Sequence, residues 1–222
     1  MADEPCAVLV DVDGTLVDTN YGHTVAWWRA MRRHGIDASM ARLHRLVGMG
    51  ADQLIDEIVG EPRPDLEDAW AEEFAPFRDE ARAFPGAADL LRTLSERGAK
   101  VVLATSGQEH DVARMREAID AEAWIDEVVS SQEVDASKPA PDIFQLAMRR
   151  VDVEPDRAIV IGDTVWDVRA ATAADLRCVA VLSGGLARCE LLEAGAAGVY
   201  DDVADLTAHL DDSPLADLLT GT

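Results

Sequence analysis

Lysine is nearly missing from this chain. Of the 20 basic residues 18 are arginine, and the two lysines are Lys100 and Lys138. Where lysine is so rare, the position of each one is informative. Cysteine is scarce as well. Cys6, Cys178 and Cys189 are odd in number and lack metal-type spacing. They exclude a disulfide framework or a zinc ribbon, and a reduced, cytoplasmic setting is expected. No apolar run approaches the roughly 20 residues of a membrane-spanning helix. The first residues carry acids and no basic stretch, so they do not read as a signal peptide. Positive charge is outnumbered, 43 acids to 20 bases, and the net charge is −23. That balance disfavours nucleic acid and anionic membranes as partners and leaves small molecules.

What the chain does have is core material. It is 222 residues long and 48% apolar, enough for one large domain or a core domain with an insert. Apolar runs at Ala7–Val10, Lys100–Thr105, Val128–Ser130, Ala158–Ile161 and Cys178–Leu182 read as buried strands, with a short sixth at Gly198–Tyr200. Helical patterns lie between them at Ala87–Arg97, Gln108–Ile119, Pro141–Arg150, Val165–Ala174 and Leu186–Ala194. This alternation predicts an α/β fold, a parallel sheet covered on both faces. One stretch breaks it. From Val17 to Phe84 the pattern is helical throughout, with Trp27, Trp28, Met31, Leu54, Ile55, Trp70, Phe74 and Phe77 at helical spacing, which read as the core of the insert itself. The expected organisation is therefore a core domain of residues 1–16 and 85–222 interrupted by a helical subdomain of residues 17–84. The chain crosses between the two near Val17–Asn20 and Ala83–Gly86, where a hinge is expected.

Four apolar runs end in polar residues. Cys6–Val10 runs into Asp11-Val12-Asp13-Gly14-Thr15, and Val101–Ala104 into Thr105-Ser106-Gly107. Ser137-Lys138-Pro139 precedes a helix, and Ile159–Ile161 runs into Gly162-Asp163-Thr164-Val165-Trp166-Asp167. In open α/β sheets ligands bind beyond the carboxyl ends of the strands. These residues supply what phosphoryl transfer to a carboxylate requires. A carboxylate approaching a phosphate dianion must overcome repulsion, and a hard cation such as Mg²⁺, held by carboxylates, offsets it. Asp11 can serve as nucleophile and metal ligand, Asp163 can complete the metal's protein ligands, and Lys138 can face the transferred group. Thr105 and Ser106 can donate to phosphate oxygens, and Asp13 is spaced to move a proton. Each residue also has a plainer role open to it: Lys138 a loop lysine, Thr105 and Ser106 helix caps, Asp163 and Asp167 partners of a helix dipole.

The set Asp11-Val12-Asp13-Gly14-Thr15, Thr105, Lys138-Pro139 and Gly162-Asp163-(x)3-Asp167 resembles the four motifs of the haloacid dehalogenase superfamily. Phe84-Pro85-Gly86, the Leu90/Leu91/Leu94 helix and Ser137–Asp142 resemble its phosphoglycolate phosphatase and β-phosphoglucomutase branch. The resemblance implies a Rossmann-like core, an inserted helical cap, Mg²⁺ and an aspartyl-phosphate intermediate. By position, Asp11 matches the nucleophile, Asp13 the general acid/base that also offers its backbone carbonyl to the metal, Thr105 and Lys138 the phosphate-binding groups, and Asp163 and Asp167 the metal acids. His23 stands where many relatives carry a histidine at the cap hinge, or is simply a polar residue of the first cap helix. The expected activity is hydrolysis of a small phosphate monoester; phosphomutase is the alternative. Asp13 argues against a dehalogenase, which has no leaving oxygen to protonate. A cap with eight arginines, no lysine and thirteen acids suits an ester whose leaving group is neutral, such as a sugar or other polyol, over phosphoglycolate or a sugar bisphosphate, unless Arg42, His44 and Arg45 turn into the cleft.

Overall fold

The computed structural model describes residues 5–107 and 109–219. Among them, six strands form one parallel sheet: β1 (Cys6–Val10), β2 (Ala99–Thr105), β3 (Glu127–Ser130), β4 (Ala158–Gly162), β5 (Arg177–Val181) and β6 (Gly198–Tyr200), in the order β3-β2-β1-β4-β5-β6. The expected strands are all present, with ends shifted by a residue. Cys178–Leu182 moves to Arg177–Val181 because Arg177 pairs with Ile159, while the Leu182 N–H donates to the Tyr200 carbonyl just beyond the ladder.

Strand periodicity sorts the core into two layers. Val8, Val10, Val101, Leu103, Ile159 and Ile161 face one layer, with Leu90, Leu91 and Leu94 of α5 (Ala87–Glu96) and Met115 of α6 (Glu109–Ile119). Ala7, Leu9, Val102, Ala104 and Val160 face the other, with Phe144 of α7 (Asp142–Val151) and Val168 of α8 (Val165–Ala173). Both faces of β1 are therefore covered, and all five of its residues are buried. The expected start of α6, Gln108, lies outside the described residues. The short helices Val203–Ala208 and Ala216–Leu219 had no expectation attached to them.

From β1 the chain adds strands outward through β2 to β3, then returns to β4 on the other side. The order reverses between β1 and β4, and a crevice opens at the carboxyl ends of strands at such a point. Asp11 follows β1 and Asp163 follows β4 there.

The stretch between β1 and α5 folds as α1 (Asn20–Arg33), α2 (Met40–Leu46), α3 (Ala51–Val59) and α4 (Pro64–Glu80). These pack around their own apolar cluster, including Met31, Leu43, Leu54, Leu66, Trp70 and Phe74. Where the chain leaves and re-enters the sheet layer its two crossings lie side by side. Asp18 N–H donates to the Arg82 carbonyl (2.9 Å), and Phe84 N–H to that of Leu16 (2.8 Å). Further along, Arg78 of α4 is ion-paired with Asp111 of α6, which is 1% exposed.

Candidate active site

Asp11 is held to the sheet by its own backbone, whose N–H donates to the Ile161 carbonyl at 2.8 Å. Its side chain is buried, and Oδ1 accepts from the Lys138 ammonium at 2.5 Å. Lys138 is 1% exposed, yet its ammonium donates to Asp11 and to the Ala104 carbonyl (3.2 Å) and is ion-paired with Asp167 Oδ1 (2.8 Å). Burial pushes the ammonium toward losing its proton, but Asp11 and Asp167 outweigh it and hold its pKa above the usual lysine range. Lys138 lies in a turn, but its side chain is buried and paired rather than solvated.

Asp163, 0% exposed, completes the group: Asp11, Asp163 and Asp167 each present an oxygen within 4.8 Å of the others. Asp163 Oδ1 accepts from Thr15 Oγ1 (3.0 Å) and Oδ2 from Asn20 Nδ2 (2.7 Å). The Thr15 hydroxyl also lies 3.3 Å from Asp11 Oδ2, so its single proton is shared between two carboxylates. Asp167 has a second duty. Its Oδ2 accepts from the Thr164 N–H (3.0 Å) and hydroxyl (2.6 Å), a capping box that starts α8. Only its Oδ1 is left for Lys138 or a metal.

Three buried carboxylates face one ammonium. Burial and the charges of its acidic neighbours push the Asp11 carboxyl up to about 7, with Lys138 pulling the other way. Asp163 is pushed well above the carboxylate range by burial and by Asp11 and Asp167. A hard divalent cation would favour the ionised form of both carboxyls, and oxygen-only donors are its preferred ligands, so the donor set fits such a cation.

Asp13 stands apart from these three. Its Oδ1 accepts from Thr19 Oγ1 (2.6 Å) and lies 2.9 Å from His23 Nε2, and its Oδ2 accepts from Thr105 Oγ1 (3.2 Å). Burial pushes its carboxyl up, but His23, Thr19 and Thr105 outweigh it and hold the group below its ordinary pKa. Its side chain is no part of the metal-type cluster. His23 is stacked on Phe74, with centroids 3.9 Å apart. Thr105, besides facing Asp13, accepts from the Gly107 N–H at 2.9 Å. Ser106 turns its hydroxyl to the Gly48 carbonyl, 3.3 Å away in the helical segment.

Over these groups lies a cleft of about 320 Å³, with Asp11, Asp13, Ser106 and Gly107 at its base and His23, Trp27, Gly48, Met49, Leu54 and Trp70 on the opposite wall. Among the described residues that line it there is no lysine or arginine, whereas Asp52 and Glu67 are both present. Arg42, His44 and Arg45 turn elsewhere, to the Glu57 carbonyl, the Gly184 carbonyl and Glu190 respectively.

A family model described as haloacid dehalogenase-like hydrolase matches residues 7–175. The chain belongs to this family. As a haloacid dehalogenase-like hydrolase it is 32% identical over 216 residues to protein CbbY of Cereibacter sphaeroides, with 90% of this chain and 93% of the relative covered. It is 31% identical over 216 residues to a phosphoglycolate phosphatase of Rhodospirillum rubrum, covering 91% and 89%. The crystal structure of a hydrolase from Pseudomonas syringae shares its fold at a TM-score of 0.88 and 32% identity, covering 93% of this chain and 98% of that one.

Several residues that organise this haloacid dehalogenase-like site carry no individual signal in the sequence. Thr19 and Asn20 fall within the expected crossing at Val17–Asn20, yet their side chains reach Asp13 and Asp163. Glu67 stands three residues before Trp70 on α4, a spacing that puts both on one helix face, and that spacing was its only available sign.

Proposed function

We propose that the protein is a Mg²⁺-dependent phosphatase that hydrolyses small phosphate monoesters through an aspartyl phosphate on Asp11. The observation that carries this reading is the buried group of Asp11, Asp163 and Asp167 around Lys138, of which Asp11, like Asp13 beside it, lines the cleft. Asp11 attacks phosphorus, the bond to the leaving oxygen breaks, and Asp13 gives that oxygen a proton. Asp13, now a carboxylate, takes a proton from water; the water oxygen attacks phosphorus, phosphate departs and Asp11 is restored. The donors around Asp13 suit the carboxylate of this second half. For the first half the nearest titratable neighbour is His23 Nε2, 2.9 Å away. Lys138 and the Thr105 and Ser106 hydroxyls hold phosphoryl oxygens. Asp11, Asp163, Asp167 and the Asp13 carbonyl would hold the metal, whose charge would offset the repulsion between carboxylate and phosphate.

In the same reading residues 17–84 are a cap that closes on a core of 1–16 and 85–222, excluding water from the aspartyl phosphate. Three unpaired cysteines support a reducing, cytoplasmic setting. Phosphomutase activity is not favoured: a second phosphate needs a cation, and the described lining offers none. The same lack counts against phosphoglycolate, the substrate named for relatives, because its leaving group, glycolate, carries a carboxylate. The test is phosphate release from a panel of monoesters with Mg²⁺ and with EDTA. Turnover of at least one ester that needs the metal is expected, and no release from any of them overturns the reading.

A further inference from the structure

Asp13 is oriented from two sides. Thr105 of the sheet domain holds its Oδ2, whereas Thr19 and His23, at the start of the helical segment, hold Oδ1. Where His23 stands therefore depends on how that segment sits on the sheet. Within the segment its ring has little freedom of its own. It is stacked on Phe74 of α4, with planes 13° from parallel, and Phe74 is fully buried. Next to His23 on α1 is Gly22, where a Cβ would lie 3.0 Å from that of Phe77, so the two helices approach closely there. Any shift of α4 is passed on to His23.

α4 also carries a contact that fixes the segment in place. Arg78 lies one helical turn beyond Phe74, with its guanidinium 5.8 Å from that ring's centroid. It crosses to the sheet domain and pairs with Asp111 of α6. The side chains are 16% and 1% exposed. A carboxylate buried so deeply is costly without a counter-charge, so a placement of the segment that withdraws Arg78 forfeits a strong contact. Among the described residues one other arginine pairs across the same boundary, Arg45 with Glu190. Those side chains are 66% and 27% exposed, where water and salt screen the pair.

We propose that Arg78 and Asp111 are positioning residues for the acid/base step: their ion pair seats α4 so that His23, braced by Phe74, meets Asp13. The proposal rests on the phosphatase reading for the role of Asp13. Neither residue lines the cleft, and both act through His23.

The test is a kinetic cycle with the panel ester that is turned over fastest. Asp111→Asn and Arg78→Gln are each expected to lower kcat by about tenfold or more, with KM changed less than about threefold. Arg78→Lys, which keeps the charge, should recover part of the loss. In a His23→Asn background the same substitutions should cost less than about twofold further, because the group they position is gone. Unchanged kcat, or equal losses in both backgrounds, overturns the proposal; equal losses are what a merely structural pair would give. The contact itself offers a readout that needs no turnover. The nitrogen NMR resonance of His23 Nε2, assigned by its absence in His23→Asn, should move in Asp111→Asn and Arg78→Gln toward that of a solvated imidazole at the same pH. Arg78→Lys should move it back. Asp111→Asn is nearly isosteric and Arg78→Lys keeps a cation, so the comparison does not hang on one variant folding. No hydrolysis of any ester overturns the phosphatase reading, and the resonance then decides by itself whether the pair seats His23, an unmoved signal sinking it.

Discussion

Asn20 Nδ2 donates to Asp163 Oδ2 across 2.7 Å, joining the first residue of α1 to the residue that follows β4. The pair is sealed in: a Cβ on Gly184 would lie 1.7 Å from Asp163 Oδ2, and one on Gly14 2.2 Å from Asn20 Nδ2. Only glycine fits at either place. With Thr15 on Oδ1, both oxygens of Asp163 are oriented by neighbours. Groups that orient a metal ligand typically contribute about 10- to 100-fold in affinity. Asn20→Ala is therefore expected to weaken Mg²⁺ binding by about that factor, read by calorimetry and by the Mg²⁺-induced rise in Tm. Unchanged affinity would show that Asn20 merely tethers the helical segment.

Asp11→Asn is nearly isosteric and removes one of three crowded carboxylates, so the variant should fold. As nucleophile its loss should lower kcat by at least about 10³-fold. Asp13→Asn should also depress turnover, since the amide accepts and gives no proton in that exchange. Quench-flow with a labelled ester should show no phosphoenzyme in Asp11→Asn. Retention of a tenth of wild-type turnover would mean that another group attacks phosphorus.

Among the described residues Lys138 is the one basic side chain against the carboxylate cluster, and it is buried. Removing one partner of such a group typically costs about 3–5 kcal/mol, because the remaining charges stay buried. Lys138→Met is expected to lower unfolding free energy by about that amount in denaturant titrations without metal, and Mg²⁺ should recover part of the loss. A change below about 1 kcal/mol would mean that the cluster is protonated and needs no counter-charge.

The sheet was legible because most strands are apolar runs, and the candidate site residues were proposed where such runs stop at a polar residue. Asp11, Thr105 and Asp163 all announce themselves that way. The residues that tune them do not. Thr19, Asn20 and Thr164 fall where local rules already give them employment as helix caps, and only the tertiary fold brings Asn20 to Asp163, 143 positions away. The fate of Arg42, His44 and Arg45 was equally hidden, since α2 has to be oriented before any of them can be assigned to the cleft or away from it. Gly86 reads as a hinge glycine. Its φ of +87° and the Ala204 Cβ 2.8 Å from where its own would stand give it a packing role at the start of α5, so proline there would injure the core as well as any hinge.

The last prediction concerns pH and metal together. The Asp11 carboxyl titrates at about 7 in the folded protein without metal, against an ordinary value of 3.8. Its folded pKa is raised, so the sign runs opposite to that of a salt-bridged acid: this group's contribution to stability grows as pH falls from about 7 toward 4 and is lost as pH rises through 7. Mg²⁺ requires the ionised carboxylate and competes with that proton. Its apparent affinity should therefore fall about tenfold for each pH unit below 7 and level off above about 8. At one fixed Mg²⁺ concentration and ionic strength, the metal-induced rise in Tm should be larger at about pH 8 than at about pH 6. In Asp11→Asn, which has no proton to displace at that position, the difference between the two pH values should shrink. Equal Mg²⁺-induced shifts at both pH values in the wild-type protein would mean that Asp11 is already ionised at pH 6 and that its burial is compensated by Lys138 alone.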